Sequence, residues 1–308
     1  MLQVLTWRLT GLLLLLTPLL SFAQAPPLPP KAPADSLAGP PIVSAKAWAV
    51  ADGKTGQFLW GGNELEPLVM ASTTKIMTAR LVLALAAKDA RILDEIVTIS
   101  AQSANTAGSG AKVQEGERFQ AKDLLFGLML PSGNDAAVAL AEHFGHAFLE
   151  PKHKDATHED RFTAFVAEMN RQAKDLKMEK THYLDPHGNS KNTSCARDLT
   201  ILAWNSMKDE RFRTYVNTRR HVCEALTKDG EKRPVLWENT NKLLAIEGFE
   251  GIKTGTTTAA GACLVSTGHR GSDRLIIVVL GSSSSDGRYV DSRNLYRWAW
   301  GERTKSGN

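Results

Sequence analysis

The strand-like runs of this 308-residue chain sit at its two ends, with helical runs between them. Residues 45–50 and 57–60 read as two short strands around the turn Asp52-Gly53-Lys54. Residues 249–256, 263–268 and 274–280 read as three more, the first two joined by a turn over 257–261. Between them, helical patterns are expected over 72–87 and over 122–130, the latter stopped by Pro131. Asn134 is the expected cap of a further helix over 135–144. Phe162, Phe165, Val166, Met169, Ala173 and Leu176 recur at helical spacing, and helices are also expected over 196–207 and 289–300. Residues 97–119, with Gly108, Gly110 and Gly116, read as irregular loop and short strand, and 151–160 as polar loop. Such a chain buries its strands by bringing both ends into one sheet with helices on its faces, an α/β fold.

Residues 1–23 have the pattern of an export signal, with Arg8 ahead of the apolar run Leu12 to Leu20 and small residues at Ser21-Phe22-Ala23. The run is shorter than the roughly 20 residues that span a bilayer, so cleavage near Ala23 and a periplasmic or secreted protein without a stable membrane anchor are expected. Residues 24–41 are a proline-rich linker, 42–301 the folded domain, and 302–308 a polar tail. The net charge of +4 is spread along the chain with no basic block interleaved with aromatics, which argues against a nucleic-acid partner. Cys195, Cys223 and Cys263 are too few and scattered for a disulfide framework and read as three buried thiols, with one bridge plus one free thiol as the alternative.

Ser72-Thr73-Thr74-Lys75 opens the helical run of Ile76, Met77, Leu81, Val82 and Leu85. On a helix, positions three apart share a face, so the Lys75 amine can reach the Ser72 hydroxyl. Such a lysine takes a serine proton only when burial or another cation depresses its pKa. Two later segments supply what the chemistry then needs. In Ser132-Gly133-Asn134, a turn between helices, Ser132 can relay a proton and the Asn134 amide can hold a substrate amide. In Lys253-Thr254-Gly255, on a strand, Lys253 is the expected cation that lowers the Lys75 pKa. Thr254 can bond a substrate carboxylate, and Gly255 would let substrate backbone approach the strand edge. The backbone N–H groups of Ser72 and Thr256 are candidate oxyanion donors. Each motif has decoys: Ser109-Gly110-Ala111-Lys112 is a second S-x-x-K, Lys54-Thr55-Gly56 a second K-T-G, and S-x-N recurs at Ser103, Ser190, Ser292 and Ser306. Only one combination runs in the order S-x-x-K, S-x-N, K-T-G with each motif on a suitable element.

With Met70-Ala71-Ser72-Thr73-Thr74-Lys75-Ile76-Met77, Pro131-Ser132-Gly133-Asn134-Asp135-Ala136 and Gly251-Ile252-Lys253-Thr254-Gly255-Thr256, the chain resembles the penicillin-recognising serine enzymes. Within them it is most similar to the low-molecular-mass penicillin-binding proteins that act as D-alanyl-D-alanine carboxypeptidases. The resemblance covers about residues 42 to 301. It implies an α/β/α sandwich around a central antiparallel sheet, the fold of β-lactamases and transpeptidases. It also implies a peptidoglycan stem peptide as substrate, an acyl-serine intermediate, and β-lactams as covalent inhibitors. Short members of the family include endopeptidases that cut D-Ala-diaminopimelate cross-links, which is the alternative. Asp185-Pro186-His187-Gly188-Asn189 departs from the family's usual Gly-Leu-Asp ending.

Three rivals are weaker. A class A β-lactamase needs a deacylating glutamate, and the nearest candidate, Glu168, lies within an amphipathic helix. His143, His146, His153 and His158 offer no closed ligand set, so neither a metal nor a cofactor is expected. A non-catalytic peptidoglycan-binding module would not need a complete set of reactive residues.

Overall fold

The computed structural model describes residues 39–150 and 155–305. The expected signal sequence and nearly all of the proline-rich linker lie outside the described residues. A five-stranded antiparallel sheet has the order β2-β1-β11-β10-β9, built from β1 (Ala47–Asp52), β2 (Phe58–Gly62), β9 (Phe249–Thr257), β10 (Gly261–Arg270) and β11 (Asp273–Ser282). The two ends of the domain meet at its centre, where β1 pairs with β11 in the register Ala47↔Leu280 to Asp52↔Leu275. Asp52 closes the β1–β2 turn by accepting from the backbone N–H groups of Lys54 (2.8 Å) and Thr55 (2.7 Å).

Strand periodicity divides this sheet between two cores. Ala49, Ala51, Ile276, Val278 and Leu280 face the helical body, where they join Ile76, Leu81, Leu199 and Leu202. Trp48, Val50, Leu275, Ile277 and Val279 face the closing helix α8 (Gly287–Lys305) and meet its Leu295, Tyr296, Ala299 and Trp300. Both faces of β11 are therefore covered, which is why its sequence is a continuous apolar run rather than an alternating one. Trp298 packs edge-on against Trp60 and Trp48, so the tryptophans of α8 belong to the sheet interface. The helix continues to Lys305, past the expected end at Trp300. The result is the expected helix–sheet–helix sandwich.

The helical body comprises α1 (Lys75–Lys88), α2 (Ala101–Ala104), α3 (Ala121–Met129), α4 (Asn134–Phe144), α5 (His158–Asp175), α6 (Ala196–Met207) and α7 (Glu210–Asn217). Residues 151–160 are not all loop: α5 begins at His158, after a capping box in which Thr157 and Asp160 satisfy each other's backbone N–H groups. A second antiparallel sheet joins β4 (Ile96–Thr98), β5 (Arg118–Gln120), β7 (Arg220–Leu226) and β8 (Lys232–Glu238), while β3 (Leu68–Val69) pairs with β6 (Thr193–Ser194). The β7–β8 hairpin is outside the sequence expectations. Its signal is the alternation of exposed Val222, Glu224 and Leu236 with buried Cys223, Ala225, Val235 and Trp237. All three cysteines are buried free thiols. Among the described residues no helix is long and apolar enough to cross a membrane.

Candidate active site

The site lies where the start of α1, the α3–α4 turn, the 185–192 loop and the outer strand β9 converge. Before α1 the chain makes a 3-10 turn over Ala71–Thr74 in place of the expected continuous α-helix from Ser72. With three residues per turn, a 3-10 turn eclipses positions i and i+3, which brings the Lys75 side chain over Ser72. The kink in front of the serine is held by Ala71 at φ 49°. Gly188, at φ 95°, backs onto it so closely that a Cβ there would lie 2.0 Å from the Ala71 carbonyl oxygen.

Lys75 has no exposed surface, and its Nζ meets three oxygens: Ser72 Oγ at 3.0 Å, Asn134 Oδ1 at 2.7 Å and the His187 carbonyl at 2.9 Å. Two of these can only accept. A neutral amine gives them its two N–H bonds and turns its lone pair toward the Ser72 hydroxyl, the arrangement a base requires. Burial pushes the Lys75 pKa down to about 7, against the opposing pull of Asp185 and Asp135. Burial is thus the leading cause of the depression, ahead of the neighbouring cation Lys253 that the sequence pointed to. Lys253 is itself buried, and burial, with Lys75 and Arg288 nearby, holds its own pKa well below the ordinary lysine value.

Asn134 is the first residue of α4 and not its cap. Its Oδ1 accepts from Lys75 at 2.7 Å and its Nδ2 donates to the Ala107 carbonyl at 2.7 Å, so both ends of the amide are anchored by the protein. The adjoining Asp135 carboxylate accepts from the backbone N–H groups of Ala111 (2.8 Å) and Ala136 (2.8 Å). The decoy segment at Ser109 thereby gains a structural role. Ser109 Oγ donates to the Ser132 carbonyl (2.7 Å), and the Asn134 N–H donates to the Ser109 carbonyl (2.7 Å). This loop holds Ser132 in the left-handed region at φ 68°, buried beside Asn134 and outside the set of three oxygens on Lys75.

On the opposite wall, Thr254 is buried and its hydroxyl is 2.8 Å from that of Thr240, while Thr256 is exposed. Gly255 serves a different neighbour from the one expected. A Cβ there would lie 2.9 Å from the Ser72 backbone nitrogen and 3.1 Å from the Met70 carbonyl oxygen, so its bareness admits the serine turn rather than substrate. Arg288, absent from the sequence expectations, reaches back from α8 with Nη1 2.8 Å from Thr256 Oγ1 and 3.1 Å from the Gly255 carbonyl oxygen. No motif marks it, because it lies 35 residues after Lys253 on another element.

The 185–192 loop is the other missed component. Asp185 accepts from the backbone N–H groups of His187 (2.8 Å), Gly188 (2.5 Å) and Ser190 (2.5 Å), which turns the His187 carbonyl onto Lys75. Asn192 ties the loop to α1 by donating to Thr74 Oγ1 at 3.0 Å. Burial pushes the His187 imidazole down to about 4, so the ring next to Lys75 is neutral at physiological pH. The density of Asp, Pro, Gly and Asn over 185–192 signals a tight loop, although nothing in it signals contact with Lys75.

The rival residues lie elsewhere. Glu168 is bound by Arg171 (2.6 Å) and Gln172 (3.0 Å) on α5. His143 contacts Glu95 (2.8 Å), His158 is 3.3 Å from Glu142, and His153 lies outside the described residues.

A profile of the D-alanyl-D-alanine carboxypeptidase family matches residues 34–284. A D-alanyl-D-alanine carboxypeptidase of Streptomyces sp. (strain K15) is 35% identical over 276 residues, 87% of this chain and 91% of that protein. The carboxypeptidase DacD of Salmonella typhimurium is 32% identical over 84% of this chain, which spans only 63% of that relative. A D-alanyl-D-alanine endopeptidase of Escherichia coli is 28% identical over 91% of this chain and 85% of its own length. The crystal structure of the Streptomyces K15 DD-transpeptidase superposes with a TM-score of 0.78 at 35% identity, covering 85% of this chain and 99% of the other.

Proposed function

The chain belongs to the D-alanyl-D-alanine carboxypeptidase family of serine peptidases, and on that premise we propose that Ser72 attacks the peptide bond between two D-alanines at the end of a peptidoglycan stem. The observation that carries this reading is the Lys75 amine, buried, depressed to about 7 and 3.0 Å from Ser72 Oγ. Lys75 takes the hydroxyl proton as Oγ bonds to the carbonyl carbon. The backbone N–H groups of Ser72 and Thr256 receive the oxyanion. As the tetrahedral adduct collapses, the C–N bond breaks and the departing D-alanine nitrogen takes a proton, relayed from Lys75 through Ser132. Water then hydrolyses the acyl-serine, with Lys75 again the base.

The terminal carboxylate of the substrate binds at Thr254 and Thr256, with Arg288 as the permanent cation behind them. Lys253, whose pKa burial and the neighbouring cations Lys75 and Arg288 hold well below the ordinary lysine value, is drawn toward its charged form when that carboxylate arrives, because an adjacent anion favours the charged amine. β-Lactams acylate Ser72 in the same way, and the engagement of Glu168 by Arg171 and Gln172 on its own helix supports slow release. Residues 1–23 direct export to the periplasm or medium, with cleavage near Ala23, and the basis for this is their sequence pattern alone.

Carboxypeptidase action is favoured because relatives of that name match at 35% and 32% identity, against 28% and 30% for the endopeptidases. Endopeptidase cleavage of cross-links is the second reading, supported by the relative of that name. Incubation with a monomeric pentapeptide muropeptide and, separately, with a cross-linked dimer distinguishes them by mass spectrometry. Loss of one alanine from the pentapeptide, blocked by penicillin, is the expected result. Dimer cleavage with the pentapeptide intact would replace it with the second reading, and no reaction with either would overturn both.

A further inference from the structure

Three metal-ligand side chains converge away from the serine, at the contact of α3 with β7. His221 and Cys223, two apart on β7, share one face of the strand, and Asp123 reaches them from the first turn of α3. One donor atom from each lies within 4.8 Å of the other two, close enough for small side-chain rotations to bring all three onto one tetrahedral ion. His221 Nε2 is 2.8 Å from Asp123 Oδ1, and its ring is fixed by stacking on Phe126 at 3.8 Å between centroids. The side chains of His221 and Asp123 are about four-fifths buried, at 21% and 19% exposed, and Cys223 is 9% exposed. Asp123 and Cys223 also line a cavity of about 590 Å³, together with Arg118, Gln120 and Lys232, from which a water molecule can reach the ion.

A structural His–Asp hydrogen bond accounts for two of these groups but not for the sulfur. The Cys223 sulfur lies within 4.8 Å of both the carboxylate and the imidazole. A dication between the three would use it as a third ligand. Two neighbouring protein cations are already engaged: Arg233 pairs with Glu117, and Lys232 with Glu224 at 2.8 Å.

We propose that Asp123, His221 and Cys223 bind a divalent transition metal of the zinc class, with water as fourth ligand, clamping α3 to the β7–β8 hairpin. Binding releases the Cys223 thiol proton to solvent and leaves the metal oxidation state unchanged. The clamp joins the helix that leads into Ser132 to the hairpin that leads into Thr240, the partner of Thr254. Its role is structural, and the acylation chemistry at Ser72 does not pass through it.

The test is cobalt(II) titration of the chelator-treated full chain, followed by zinc(II). One cobalt per chain, with a thiolate-to-cobalt charge-transfer band and the intense visible bands of a four-coordinate ion, is expected, and zinc should displace it and raise the melting temperature. Cys223→Ser should abolish the charge-transfer band, and the near-isosteric Asp123→Asn should weaken zinc binding by more than the roughly 10–100-fold typical of losing a supporting outer group. Penicillin labelling of Ser72 in each variant verifies folding. Absence of cobalt binding by the unaltered chain would overturn the proposal, as would a charge-transfer band that persists in Cys223→Ser, since the sulfur would then be Cys195 or Cys263.

Discussion

Replacing Asn134 with aspartate would place a carboxylate where Oδ1 now sits, 2.7 Å from Lys75 Nζ. At an effective dielectric of about 20, two unit charges at that distance attract by about 6 kcal/mol, equivalent to roughly 4 pKa units. That figure is a ceiling, for two reasons. The new carboxylate must itself be desolvated, and it faces the Ala107 carbonyl that Nδ2 now satisfies. A rise of roughly 2 units, to about 9, is the expected minimum. The neutral fraction of Lys75 at pH 7 then falls from about one half to about 1%, and acylation by a fluorescent penicillin slows roughly 50-fold. The assay is the second-order labelling rate from pH 5.5 to 10.5. The unaltered enzyme should gain rate tenfold per pH unit at acidic pH and level off above about 7. Asn134→Asp should keep that shape with its inflection displaced to alkaline pH and most of its plateau rate recovered. An inflection that does not move would refute Lys75 as the titrating base.

Further predictions concern the groups around it. Between about 7 and 10.5 the unfolded chain holds more protons at Lys75 than the folded one, so stability conferred at this position rises with pH. Relative to Lys75→Met, the native protein should therefore gain up to about 1.4 kcal/mol per pH unit in that window, and a flat difference in denaturant titrations would contradict the depressed pKa. Gly255→Ala forces β9 away from the Ser72 nitrogen. Labelling should slow roughly 100-fold with little loss of melting temperature, and an unchanged rate would show that the close approach does not matter. Asp185→Ala leaves three backbone N–H groups of the 187–190 loop without their acceptor, which should cost roughly 3 kcal/mol or more in chemical denaturation and also slow labelling.

The sheet was readable because the strand-like runs at 45–50, 263–268 and 274–280 have no alternative burial, and the order of S-x-x-K, S-x-N and K-T-G pointed to the site. What escaped was everything that depends on distance through space. His187 meets Lys75 through a backbone carbonyl, which carries no residue-type signature, and Arg288 arrives from a helix on the far side of the sheet. Asn134 looked like a cap because asparagine is a common one, yet a lysine 59 positions away takes its oxygen. Gly255 looked like room for substrate, while the space is filled by Ser72 and Met70. The β7–β8 hairpin reads weakly because its outer face mixes Val222 and Leu236 with charged residues.

Peptide mapping of the covalent adduct bears most directly on Ser72 as the nucleophile. After brief incubation with penicillin and acid quenching, the adduct mass should fall on the peptide containing Ser72, with one adduct per chain, and Ser72→Ala should carry none. An adduct that survives in Ser72→Ala, or that maps to another residue, would contradict the assignment of Ser72 and Lys75 as the reacting pair.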